Sequence, residues 1–63
     1  MTKMEADLLY YRRRFAEEKA AVDLATDGRA QAIHLELARA YEERVLVLEK
    51  EHAGAHLRLV SAA

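Results

Sequence analysis

Between Met4 and Ala25, apolar side chains return at steps of three, four or their sum: Met4, Leu8, Tyr11, Phe15, Val22 and Ala25. That spacing brings them to one face of an α-helix and predicts helix 1 over about 3–25. Thr2-Lys3-Met4-Glu5 marks its start as a capping box. The threonine hydroxyl accepts from the Glu5 amide, and the Glu5 carboxylate accepts from the Thr2 amide. Glu18 holds the remaining position of the stripe and reads as a carboxylate snorkelling at its edge. A second stripe follows: Ala30, His34, Leu37, Tyr41, Val45, Leu48, His52, Ala55 and Leu59. It predicts helix 2 over about 29–53.

Between the stripes, Thr26-Asp27-Gly28 predicts a turn over 26–28. Gly28 suits a left-handed helix end, and Asp27 or Thr26 suits the N-cap of helix 2. The phase of the stripes decides against one long rod. Extended past Gly28, the first stripe lands on Arg29, Ala32, Glu36, Arg39, Glu43, Leu46 and Lys50, a mostly charged face. A turn instead lets the two stripes face each other as an antiparallel αα-hairpin. Folding at 27–28 pairs positions whose numbers sum to about 55, which sets Phe15 near Tyr41, Tyr11 near Val45, Leu8 near Leu48 and Val22 near Ile33 and His34. Burial of Phe15 in that seam would make Phe15→Ala cost about 3–5 kcal/mol. Gly54 lies as far from the turn as Thr2, so residues 54–63 form either a helical extension or a loose tail. The fold class is therefore all-α, a single hairpin spanning 1–63.

Size changes the picture. A chain of 63 residues orders itself at about 1.5 kcal/mol per residue, and a core this small rarely offsets that without a staple. There is no cysteine for a disulfide, so oligomerisation is the expected route. The pattern agrees, because each helix carries more apolar residues than one seam uses. Leu9, Ala16, Ala20 and Leu24 form a second band on helix 1, and Val45-Leu46-Val47-Leu48 is apolar all round on helix 2. The expectation is a homodimer packing two hairpins into a four-helix bundle. Its interface would draw on Leu9, Leu24, Ile33, Leu35, Leu46, Val47 and Leu57.

The candidate chemistry is thin. Tyr10-Tyr11-Arg12-Arg13-Arg14 is the densest basic run and the candidate polar or anion contact. Arg13 and Arg14 each have a glutamate four residues on, Glu17 and Glu18, so a salt-bridged face is expected there. A formal net charge of −1 weighs against nucleic acid as a partner. His52 and His56 are four apart and Glu49 stands three before His52, a spacing that could hold metal with Glu5 opposite. The break at Gly54 argues against it, so no metal and no cofactor is assigned. His34 reads as a buried, hydrogen-bonded histidine within reach of Asp23. No nucleophile–base set or Gly-rich phosphate loop occurs, so no catalytic residue is assigned. No apolar run is long enough to span a membrane, and no signal-peptide pattern follows Met1, so a cytoplasmic protein is expected.

The order Tyr10-Tyr11-x-Arg13-Arg14, Glu17-Glu18-x-Ala20-Ala21 and Ala32-x-His34-x-x-Leu37-Ala38-x-x-Tyr41-x-x-Arg44-Val45 resembles short hypothetical helical-hairpin proteins of alphaproteobacteria. The similarity covers about residues 7–45, and the tail from Leu46 departs from it. The resemblance implies a small cytoplasmic bacterial protein and carries no activity. The reading is a non-enzymatic protein–protein interaction and oligomerisation module, presenting its charged faces or its 55–60 overhang to another protein. Two other classes stand beside it: a nucleic-acid-binding regulator using Arg12–Arg14 with Arg29, and a metal-binding helical bundle.

Overall fold

The Thr2–Glu5 capping box starts the first helix: Thr2 Oγ1 accepts from the Glu5 amide at 3.2 Å, and Glu5 Oε1 accepts from the Thr2 amide at 3.4 Å. In this computed structural model, which describes the backbone of residues 1–62 and the side chains of residues 1–55, helix α1 spans Lys3–Leu24 and helix α2 spans Gly28–Ala62. The described residues are all-helical apart from the termini and the turn, and α1 packs against α2 as an antiparallel hairpin.

The turn is residues 25–27, one position earlier than the sequence predicts. Ala25 is extended, and its amide still donates to the Ala21 carbonyl at 3.0 Å. Asp27 serves as the N-cap of α2: its carbonyl accepts from the Gln31 amide at 2.9 Å and its carboxylate from the Arg29 amide at 3.4 Å. Gly28 has no positive φ and is simply the first residue of α2. The Gln31 side-chain amide donates to the Val22 carbonyl at 3.3 Å, satisfying one of the orphan acceptors at the end of α1.

Helix α2 continues through Gly54 to Ala62, which takes the helical extension over the loose tail. A single helical glycine costs only about 1 kcal/mol, and alanines flank it on both sides. Neither a proline nor a capping group follows to end the helix there. At about 1.5 Å per residue, α2 overhangs the shorter α1, and the molecule is correspondingly elongated, 54 × 18 × 13 Å.

The α1 seam is the predicted one. On α2 the seam passes through Ala38 instead of Leu37: Ala38 is 3% exposed and Leu37 is 40% exposed. The small side chain leaves room for Phe15, which lies beside Ala38 and Leu35. Tyr11 meets Tyr41 and Glu18 meets His34, so facing numbers sum to 52, not about 55. The earlier turn accounts for most of the shift, since moving the pivot by one residue moves each facing sum by two; Leu8 and Leu48 still share the core as predicted.

The core is small. Leu8, Val45 and Leu48 form it with Tyr11 packed against them, and no described side chain is fully buried. Phe15 is only half-buried, with the Lys19 ammonium 5.5 Å from its ring. Phe15→Ala is therefore expected to cost about 1–2 kcal/mol, less than a fully buried phenylalanine, and Leu48→Ala about 2–4 kcal/mol. Urea unfolding at one protein concentration checks this; a larger loss at Phe15 than at Leu48 would contradict the seam.

Candidate functional site

Among the described residues, Glu18 is the one charged side chain buried in the seam, 6% exposed. Its burial corrects the reading of a snorkelling side chain. Four positions from Arg14 on α1, and facing His34 across the seam, it finds a partner for each oxygen. Arg14 Nη2 donates to Oε2 at 3.0 Å, and His34 Nδ1 lies 2.7 Å from Oε1. An ionised carboxylate only accepts, so His34 Nδ1 carries the proton in this contact. His34 is hydrogen-bonded as expected, but it is half-buried, not buried, and its partner is Glu18; Asp23 is exposed. The His34 hydrogen bond holds the Glu18 carboxyl below its usual range. Burial works against that shift, and charge on His34 and Arg14 reinforces it.

Aromatic rings continue the cluster along the seam. The Arg14 guanidinium lies 5.3 Å from the Tyr41 ring, Tyr41 lies 6.1 Å from Tyr11, and the Arg44 guanidinium lies 5.8 Å from Tyr11. Tyr10 meets Tyr11 edge-on at 5.2 Å, and Arg13 sits 5.9 Å from the Tyr10 ring. These contacts use the cationic side chains to cover aromatic faces.

The basic run is largely neutralised. Arg12 pairs across the hairpin with Glu49 at 2.8 Å, Arg13 with Glu17 at 3.8 Å, and Arg14 with both Glu17 and Glu18. The Arg13–Glu17 and Arg14–Glu18 pairs are those the spacing predicts. The Arg12–Glu49 pair was not visible in the sequence, because it joins residues far apart in the chain. It also occupies the Glu49 carboxylate of the Glu49–His52 spacing, while Glu5 is engaged in the capping box. Among the described residues no group of three or more His, Cys, Asp or Glu is placed to hold a metal ion. The His56 side chain lies outside the described residues, as does that of Leu57.

The remaining interface candidates do not form one patch. Ile33 and Val47 share one flank of the α2 seam, whereas Leu35 and Leu46 lie on the other, about 200° round from Ile33 at about 100° per residue. Leu9 and Leu24 point away from the seam on α1. Open grooves flank the hairpin, one at Phe15, Lys19, Leu35 and Ala38, another at Met4, Asp7, Arg44 and Leu48. A third lies at Met1, Glu5, Leu9 and His52. Neither Glu18 nor His34 lines any of the three. The cluster is thus a polar network in which both Glu18 oxygens are satisfied, and none of these three grooves opens onto it. It can fix the two helices in register.

No protein-family model, curated protein or solved structure matches the chain. Among the described residues no helix is long and apolar enough to cross a membrane.

Because the folded-state value of Glu18 is lowered, its stabilisation is present above the ordinary carboxylate pKa and is lost as pH falls through the folded value. The stability advantage of the native chain over Glu18→Gln, from urea unfolding, is expected to be larger at pH 7 than at pH 3. An equal difference at both values would contradict an ionised, paired Glu18.

Proposed function

We propose that the chain is a self-associating helical module that binds protein and carries no catalytic activity of its own. The observation that carries this reading is a mismatch between inside and outside. Among the described residues, only Leu8, Ala38, Val45 and Leu48 are buried as apolar residues. Large apolar side chains including Leu9, Leu24, Ile33, Leu35, Leu46 and Val47 are exposed. A hairpin of this size with so little core gains most from covering further apolar surface. A second copy supplies that surface in the simplest symmetric way, completing four helices.

The polar features support the same reading. The arginines of the basic run each have an acidic partner, which leaves little free positive charge within that run for phosphates and weighs against the nucleic-acid alternative centred on it. In the Glu18–His34–Arg14 network both carboxylate oxygens are already engaged, which fits a structural role for Glu18 better than a catalytic one. In this reading the protein works in the cytoplasm of a bacterial cell, and the overhanging end of α2 is available to a different protein once the dimer has formed. Sedimentation equilibrium at micromolar concentration is expected to give twice the chain mass. A stable, fully helical monomer at that concentration would overturn the proposal.

A further inference from the structure

Beside its seam, α2 carries a second apolar track. Ile33, Leu37, Ala40 and Val47 repeat at steps that return to one face. Ile33 is 51% exposed and Val47 is 40% exposed. Four charged residues lie on the same face: Arg29, Glu36, Arg44 and Glu51. None of them forms an ion pair among the described residues. They differ in this from Arg12, Arg13 and Arg14, which are all paired. Arg44 is held at this edge by its contact with the Tyr11 ring.

The track is its own complement when turned end for end about Ala40. Glu36 and Arg44 lie four residues either side of Ala40, Ile33 and Val47 seven, and Arg29 and Glu51 eleven. Those offsets are close to one, two and three helical turns, so every member stays on the Ala40 face. Reversal sets acid on base at two levels, apolar on apolar at one, and alanine on alanine at the centre; Leu37, three residues before Ala40, is the exception and falls opposite Glu43. A parallel pairing would set Glu36 on Glu36 and Arg44 on Arg44, which repels. The small Ala40 side chain lets the two helix axes approach closely. The opposite flank of α2 is a poorer surface, because only Arg39 and Glu42 lie between Leu35 and Leu46 there.

From this we infer that a second copy of the chain docks antiparallel on α2, with the two-fold axis at Ala40 and Glu36 of each copy paired with Arg44 of the other. The inference rests on the self-association reading above and names its surface. Of the seven sequence-predicted interface residues, it uses Ile33 and Val47.

Sedimentation equilibrium of the full chain and three variants tests it. Glu36→Arg and Arg44→Glu alone each place like charges together at two sites, and each is expected to weaken the dimer at least about tenfold. The double exchange restores both pairs and is expected to return the dissociation constant to within about threefold of the native chain. A dimeric native chain whose affinity neither single variant changes would overturn this surface and leave the self-association reading intact. A monomeric native chain would overturn both. As a second measurement, Ala40→Cys places two thiols at the axis in a chain that has no other cysteine. Its oxidative cross-linking is expected to be at least about tenfold faster than that of Glu42→Cys, which lies on the opposite flank. Equal rates, or faster linking at Glu42→Cys, would overturn the two-fold at Ala40.

Discussion

Two helices lying side by side can each hide one stripe of side chains from water, and this limit shapes the whole hairpin. A seam between two helices has an inside only along a line; residues one turn to either side remain wet. In this chain the line holds Leu8, Val45 and Leu48 with Tyr11 packed against them. Ala38 extends it, while large apolar side chains such as Leu9, Leu24, Ile33 and Leu46 lie outside it. The molecule is built from good helix formers with a capping box at its start, so the helices themselves are well specified. Its shortage is of interior. That shortage is what motivates the proposal of self-association.

Within so narrow a seam, a buried carboxylate has a large effect. Glu18 tolerates burial because Arg14 from its own helix and His34 from the other both donate to it. Sliding one helix along the other would separate Glu18 from His34 and strand a charge. Apolar contacts alone are more forgiving of such a slip. The network therefore selects one register, and with it the alignment of the Arg12–Glu49 pair and of the tyrosine contacts. By fixing α2 against α1 it also fixes which face of α2 turns outward, with Ile33, Ala40 and Val47 on one flank.

The parts of the fold that depend on neighbours in the chain were legible in the sequence. The capping box, the α1 seam, the hairpin and the i,i+4 ion pairs all follow from spacing. What was hidden depends on packing. Leu37 and Ala38 both fit the periodicity of α2, and the larger side chain is the natural choice for a core; only the presence of Phe15 opposite shows why the smaller one goes inside. Glu18 stands in the stripe as plainly as its neighbours, but a glutamate is expected to reach solvent. Its burial becomes visible only when the register brings His34 opposite, and the register was off because the turn lies at 25–27. Gly54 looked like a stop, yet a single glycine between alanines is too weak a signal to end a helix. Arg12–Glu49 and the Gln31 cap on Val22 needed the third dimension altogether.

Dependence of this chain on a partner for stability is the central claim, and the thermal midpoint as a function of protein concentration tests it most directly. For a chain whose folded form is completed by a second copy, unfolding and dissociation are linked, so the midpoint rises with concentration. Circular dichroism melts of the full chain over a hundredfold range of concentration should show that midpoint climbing by several degrees. A midpoint that stays constant across the range, with full helicity at the lowest concentration, would mean that the small seam suffices alone and would contradict the account.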